Sequence, residues 1–196
     1  VELWGVLKKH HPSGGYAQKC FDIIVDSLVS SEKLYDLGKL YWTGIPGLIE
    51  PNPDKAYEPL YRGATQQEDP SAMYLLGLAY KRNLYRFIGA PGYEGDAYWL
   101  AEASKKGNAN ATVQLALLST LPSAAYLRKA IEQGDSINAP YYLGKMYKEG
   151  RGVKQDYTQA RAYLERSFNK KDIRAGVELA LIYSKGLGVS VNHGES

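Results

Sequence analysis

The sequence predicts an all-α protein, a solenoid of stacked helix pairs. The first observation behind this fold class is a core of leucine, a small residue and, three positions on, usually tyrosine, which occurs five times. Its small residue stands at positions 38, 77, 116, 144 and 180, so the spacings are 39, 39, 28 and 36 residues. The other two observations are helical spacing of apolar residues within each copy and glycine-containing loops between helices. Repeats of 20 to 50 residues are typical of solenoids.

The first helix of each copy carries this core. In the second copy, Ala72, Leu76, Gly77 and Tyr80 fall at i, i+4, i+5 and i+8, which places them on one stripe of a helix. Glycine costs a helix about 1 kcal/mol relative to alanine. We therefore expect the small residue to be present because a neighbouring helix packs closely against it.

The second helix of each copy follows a loop and has its own pattern. Its leucine is trailed three residues later by a small residue: Leu60 and Gly63, Leu100 and Ala103, Leu127 and Ala130, Leu164 and Ser167. Gly107 and Gly134 come next and suit left-handed helix ends. In the loop of residues 150–156, we expect two glycines to form the turn, Val153 to point inward and Asp156 to cap the second helix.

A single helix pair cannot bury its apolar face, so the pairs are predicted to stack. Before the repeats, residues 16–29 are predicted to form a helix that packs on the first pair. The resulting division is an N-terminal helical cap, 1–30, and a repeat solenoid, 31–196, with repeats at 31–70, 71–109, 110–135, 136–173 and 174–196, the last incomplete.

Composition gives little support for a nucleic-acid-binding protein, a membrane-spanning protein or a cysteine-rich protein. The chain has 196 residues, 44% of them hydrophobic, and a net charge of +3, which favours a globular protein and gives no support for nucleic-acid binding. No apolar run approaches the roughly 18 residues of a membrane span. One cysteine excludes an internal disulfide and a multi-cysteine metal site. The first residue is Val1, not Met, and we expect an exported, periplasmic location rather than a cytoplasmic one.

The fourth copy carries the clearest family pattern. Ala139, then Leu143-Gly144 with Tyr147, Gly150-x-Gly152-Val153, Asp156 and Ala160, and finally Tyr163-Leu164 resemble the Sel-one-like repeat (SLR), a relative of the tetratricopeptide repeat (TPR). The resemblance implies a right-handed α/α superhelix of helix-turn-helix repeats and a role as a protein-binding scaffold. Members serve as adaptors, and some neutralise secreted toxin effectors.

The residue types that act in catalysis or bind metals do not form a recognisable catalytic or metal site in this sequence. Adjacent His10 and His11 point apart on any regular element and lack metal-ligand geometry. Cys20 is predicted to be a buried small hydrophobe. Ser30 with Lys33 matches a Ser-x-x-Lys signature, but its companion motifs are absent. The sequence therefore predicts a protein that is not an enzyme and has no cofactor.

The resemblance implies that the first helices line the concave face. In register with the small residue, 25 positions face this groove, and they hold seven basic residues against two acidic ones, a local excess of +5. Aromatic residues among them are typical interface anchors. The partner-binding positions predicted on this face are Tyr35, Lys39, Trp42, Tyr74, Leu78, Lys81, Arg82, Tyr141, Lys145 and Lys148.

The loop of the second repeat, residues 82–95, is a further candidate. It carries Tyr85, Phe87, Ile88 and Tyr93, whereas the fourth repeat makes its turn with Val153 alone. Exposed apolar residues of this kind need a cover. They are predicted either to pack on the third repeat, whose own loop is nearly deleted, or to contact a partner.

These observations lead to one main function and two alternatives. The main hypothesis is a non-catalytic scaffold or adaptor that binds a partner protein, with an acidic or mixed polar segment, through the groove and the loops. The first alternative is a bacterial immunity protein that binds and neutralises a secreted toxin enzyme. A cell-wall hydrolase ranks last because no acid, base and nucleophile converge in the sequence. The sequence leaves the oligomeric state open.

Overall fold

The computed structural model describes residues 14–47, 49–82, 95–118, 123–135 and 137–187. These residues form ten helices, and the all-α fold class is confirmed. In chain order the helices are α1 (Gly14–Ser30), α2 (Leu34–Thr43), α3 (Pro53–Thr65), α4 (Pro70–Lys81), α5 (Asp96–Lys105), α6 (Ala109–Ala116), α7 (Ala124–Glu132), α8 (Asn138–Glu149), α9 (Tyr157–Phe168) and α10 (Ile173–Ser184). None of these helices is long and apolar enough to cross a membrane.

The chain divides into two compact units, Val1–Asp96 and Ala97–Ser196. In the first unit, α1 packs on α2, where the Phe21 and Tyr41 rings meet edge to face at 5.8 Å. Helix α3 contacts both α2 and α4, and α2 also contacts α4. The first helices of the first two repeats are therefore neighbours, and the predicted helix before the repeats is confirmed.

The second unit repeats this order of packing. Contacts join α6 to α7, α7 to α8, α8 to α9 and α9 to α10, and the first helices α8 and α10 also touch. Val113, Leu127, Leu143 and Met146 are among the residues of one buried cluster, and a second cluster lies between α9 and α10. Val153 packs against the first cluster as predicted from the loop pattern.

The repeated small residue has the predicted packing role. A Cβ atom added to Gly38 would lie 2.5 Å from Leu60 Cγ, and one added to Gly144 would lie 2.7 Å from Leu164 Cγ. Leu60 and Leu164 are themselves fully buried. In these two pairs, glycine thus lets the second helix approach the first helix more closely than any side chain would allow.

The second helix of three repeats is tied to the first by one backbone hydrogen bond. The residue that caps the second helix donates its N–H to a carbonyl of the first helix: Asn52 to Tyr41 at 2.7 Å and Asp156 to Tyr147 at 3.0 Å. Both carbonyls lie three residues after the small residue. In the third repeat, Ser123 donates to Ala116 itself at 3.1 Å. The connection therefore closes about one helical turn earlier there, and α6 ends early.

Helix ends follow the predicted chemistry. The Asp156 carboxylate accepts hydrogen bonds from the backbone N–H groups of Thr158 and Gln159, so it caps α9. Gly150 ends α8 in the left-handed conformation at φ 69°. Gly107 and Gly134 also have positive φ after α5 and α7, which confirms their predicted role.

Candidate functional site

The predicted binding positions of α2 share one face of that helix. Tyr35, Lys39 and Trp42 fall at i, i+4 and i+7, the spacing of one helical stripe. Tyr35 and Trp42 are half-buried and Lys39 is exposed. The Lys39 Nζ atom lies 5.6 Å from the centre of the Tyr35 ring, within the range of a cation–π contact.

Helix α4 adds a second cation to this face. Arg82 ends α4, and its guanidinium lies 5.7 Å from the centre of the Trp42 ring on α2. Tyr74 and Leu78 are half-buried on α4, and Lys81 is exposed in its last turn. The structure thus brings together Tyr35, Lys39, Trp42 and Arg82, and these four residues are called the basic-aromatic face below.

The cations of the basic-aromatic face contact aromatic rings and, among the described residues, no acidic group. Among the residues that the structure describes, no carboxylate pairs with Lys39 or Arg82. A cation above an aromatic ring keeps N–H groups that can still donate to another molecule. Both side chains are exposed, so this part of the surface is positively charged and open to solvent.

Three of the four groove cations of the second unit, Lys145, Lys148 and Arg174, have carboxylate partners, whereas Lys185, at the register position of Arg82, has none among the described residues. Lys148 on α8 forms an ion pair with Glu178 on α10, and both side chains are largely buried. Lys145 lies 3.8 Å from Glu149. The local excess of positive charge that we counted from the sequence is therefore smaller in this unit, because Glu178 was not among the counted positions.

Arg174 is the most extensively bonded of these cations. Its guanidinium donates to both carboxylate oxygens of Asp172, at 2.9 and 2.8 Å, and to Asn138 Oδ1 at 3.1 Å. It also stacks on Tyr141, 4.4 Å from the ring centre. Arg174 therefore ties the start of α10 to the start of α8, which makes it a structural cation.

Asp172 is buried, with its side chain 5% exposed, and it also caps α10. Hydrogen bonds from the Arg174 side chain hold the pKa of Asp172 below its ordinary value, and the Ser167 hydroxyl, 3.0 Å from Oδ2, acts in the same direction. The Asp172 carboxylate in turn raises the pKa of Arg174. Both groups stay charged at neutral pH, and Asp172 neutralises a cation that the sequence placed on the binding face.

Two acidic residues were thus missed by reasoning from the repeat register. Glu178 stands two residues before the small residue of its repeat, a position that was not assigned to the groove. Asp172 precedes α10 and could have been recognised as a helix cap, because Asp is a preferred cap residue. Its bond to Arg174, two residues later, has no comparable sequence signal.

Several other sequence candidates can now be placed. Cys20 is a free, half-buried thiol on α1, which is less buried than predicted. The Ser30 hydroxyl donates to the Asp26 carbonyl at 2.7 Å at the end of α1. Tyr85, Phe87, Ile88 and Tyr93 of the second-repeat loop, together with His10 and His11, lie outside the described residues.

The described part of the chain has no group of three or more His, Cys, Asp or Glu residues arranged to hold a metal ion. The candidate site is therefore a surface of cations and aromatic rings, suited to binding a molecule that offers carboxylates and apolar side chains.

Comparison with known proteins identifies the repeat. A family model described as the Sel1 repeat matches residues 34–66, 70–84, 123–135, 138–172 and 175–196, more than half of the chain. No curated protein matches the sequence.

Two solved structures are similar in fold. One is a protective antigen present in uropathogenic Escherichia coli strains and displaying an SLR fold, with 28% identity and a TM-score of 0.66 over 86% of this chain. This chain spans 37% of the length of that antigen. The other is a Sel1 repeat protein from Oxalobacter formigenes, with 25% identity and a TM-score of 0.66 over 92% of this chain and 73% of that one.

Proposed function

This chain belongs to the Sel1 repeat family, and from that premise we propose that it is a non-catalytic scaffold that binds a partner protein through the basic-aromatic face. Sel1 repeat proteins generally mediate protein–protein interactions. The partner segment that we propose is acidic or mixed polar and carries apolar side chains. Tyr74, Leu78 and Lys81 on the neighbouring α4 would extend the contact.

One observation carries this proposal: Lys39 and Arg82 are exposed on aromatic rings and have no carboxylate partner among the described residues. A partner carboxylate that pairs with either cation would not need to displace an acidic group of the described residues. In the second unit, by contrast, a ligand of Arg174 or Lys148 would have to compete with Asp172 or Glu178. The first unit is therefore the better place for an acidic segment.

The rings support the same conclusion. Tyr35 and Trp42 are half-buried, so they are held in place and still present part of their surface to a ligand. Rigid aromatic side chains contribute large contact areas at a small entropy cost, and Trp, Tyr and Arg dominate binding energies at interfaces. Charge on the same face accelerates association with an acidic partner and makes it sensitive to salt.

The test is selection of short peptides, from a random displayed library, by the whole chain. We expect the selected peptides to be enriched in Asp and Glu next to apolar residues. The double variant Lys39→Gln/Arg82→Gln should bind these peptides about tenfold more weakly, because each exposed charge pair contributes up to about 1 kcal/mol. Its binding should also depend less on salt concentration.

A matched control is available in the same chain. Lys55 lies over Tyr41 and Arg161 lies over Tyr183, so Lys55→Gln/Arg161→Gln removes the same charges and the same kind of ring contact elsewhere. This control should leave peptide affinity unchanged. Selected peptides without acidic enrichment, or equal losses in the two double variants, would contradict the proposal.

Neutralisation of a toxin enzyme stays the alternative prediction. It differs from the scaffold proposal in its partner: the bound protein would be an enzyme whose activity falls on binding. Measurement of that activity with and without this chain separates the two functions once a partner has been isolated.

A further inference from the structure

The second unit contains a small pocket that is separate from the basic-aromatic face. It has a volume of about 160 Å³ and lies between the end of α6 and the second half of α8. Its lining residues are Leu117, Tyr142, Lys145, Met146, Glu149 and Arg151. Tyr142, Met146 and Arg151 were not among the positions that the sequence assigned to binding.

The pocket has a clear structural origin. Helix α6 has 8 residues and ends at Ala116, whereas α8 has 12 and continues to Glu149. The repeat's small residue is Ala116 in α6 and Gly144 in α8. Helix α6 ends at this residue, whereas α8 continues past it to Glu149. Among the described residues, the last turn of α8 therefore has no helical turn of α6 beside it, and the pocket occupies that place.

The floor of the pocket is apolar. Met146 is almost fully buried, and Leu117 and Tyr142 are half-buried beside it. An apolar side chain that entered would cover hydrophobic surface that water now contacts, which favours binding. A volume of about 160 Å³ suits one branched or aromatic side chain, and it is too small for a folded element.

The rim of the pocket is charged and is not balanced. Lys145 Nζ lies 3.8 Å from one oxygen of Glu149, and Arg151 Nη1 lies 3.7 Å from the other. Two cations thus share one carboxylate, at the long end of ion-pair distances. Among the described residues one positive charge is left in excess, and the Lys145 and Arg151 side chains are 40% and 56% exposed.

We propose that this pocket binds one apolar side chain of a partner protein that carries a carboxylate directly beside it. The apolar group fills the floor and the carboxylate pairs with the cations of the rim. The identity of the ligand as part of a partner protein rests on the proposed function. The chemistry of the pocket does not depend on Lys39 or Arg82.

Two methionines make a direct test possible. Labelling the methionine methyl groups with ¹³C gives two NMR signals, from Met146 in the pocket and from Met73 in the core of the first unit. The probe is 4-methylpentanoate, a branched apolar chain with a carboxylate, added up to about 20 mM, since millimolar affinity suits a ligand of this size. The Met146 signal should shift on titration, and the Met73 signal should not.

Two matched comparisons test whether the carboxylate of the probe contributes to binding and whether it pairs with Arg151. The neutral probe 4-methylpentanamide should bind about threefold more weakly than the acid, as expected for an exposed charge pair. Arg151→Gln should remove that difference, whereas Arg166→Gln, another exposed arginine, should preserve it. A Met146 signal that does not move, or equal affinity of the acid and the amide for the unmodified chain, would overturn the proposal.

The two proposals can also fail separately. Lys39→Gln/Arg82→Gln should leave the Met146 response to 4-methylpentanoate unchanged. Loss of peptide binding with an intact Met146 response would place the failure in the partner proposed for the first unit. An absent Met146 response in a chain that still selects acidic peptides would place it in the pocket.

Discussion

The two units present similar repeat positions with different electrostatics. In the first unit, Lys39 and Arg82 lie on aromatic rings and no described carboxylate pairs with them. In the second unit, Lys148 pairs with Glu178, and Arg174 pairs with Asp172 while it stacks on Tyr141. A cation on an aromatic ring can still bind a ligand, whereas a cation held by a buried carboxylate stabilises the fold. Arg174 and Lys148 therefore stabilise the fold of the second unit, whereas Lys39 and Arg82 are open to a ligand.

The largest expected effect that tests this contrast is the loss of the Asp172 charge. Asp172→Asn keeps an oxygen that can cap α10 but removes the charged partner of Arg174. We expect the free energy of unfolding to fall by about 2 kcal/mol, the usual worth of hydrogen bonds to charged groups. Chemical denaturation measures it.

Asp36→Asn is the control for that measurement, because Asp36 is exposed in the first turn of α2. It should change stability by a few tenths of a kcal/mol at most. Equal effects of the two substitutions would mean that the Arg174 network contributes no more than surface charge does.

The dependence on pH tests the same pair. The pKa of Asp172 is lowered in the folded protein, so its contribution is fully present above the pKa of an unfolded Asp, about 3.9, and is lost as pH falls through the lower folded value. The difference in stability between the unmodified chain and Asp172→Asn should therefore be constant from neutral pH to about pH 5 and shrink below about pH 4. A difference that grows on acidification would contradict this assignment.

A third prediction asks whether the units differ in packing as well as in charge. Gly38→Ala and Gly144→Ala should each destabilise the chain by about 1 to 2 kcal/mol, because the added methyl overlaps a buried leucine and outweighs the better helix propensity of alanine. Thermal and chemical unfolding measure both variants. Similar losses would show that packing at this position is shared and that the contrast between the units is electrostatic.

Gly15→Ala supplies the matched control for packing. Gly15 lies in α1, and nothing is within 4 Å of an added Cβ. Alanine should leave stability unchanged or raise it slightly there. Stabilisation by all three substitutions would show that Leu60 and Leu164 move aside without cost.

The smallest effect on stability is expected where binding is proposed. Lys39→Gln and Arg82→Gln should each change the free energy of unfolding by less than about 0.5 kcal/mol, since both side chains are exposed and form no ion pair within the described residues. Denaturation of the same samples used for peptide binding measures it. A large loss of stability would make these cations structural and would remove the contrast between the units.

Repetition made the fold predictable from the sequence. The small residues at 38 and 144, the leucines at 60, 100, 127 and 164, and the cap at Asp156 all lie where the pattern placed them. Each of these roles depends on the spacing of nearby residues. Because this spacing recurs between the copies, it can be recognised by comparing them.

The candidate site was predictable only in part, because charge pairing depends on contacts between copies. The register placed Arg174 and Lys148 on one face, but the repeat pattern does not show that they pair with Asp172 and Glu178. The pocket beside Met146 could not be read from the sequence either. It follows from the place where α6 ends and from how α8 packs beside it.

The backbone hydrogen bond that closes three of the helix pairs has a consequence for how such proteins diversify. Asn52 reaches Tyr41 across ten intervening residues, Asp156 reaches Tyr147 across eight, and Ser123 reaches Ala116 across six. The helix pair is closed by the same kind of bond in each case, and the entropic cost of a longer loop grows only slowly with its length. Insertions and deletions between these anchor points can therefore accumulate over evolution while the scaffold persists, and each new loop length offers a different surface to the molecules outside.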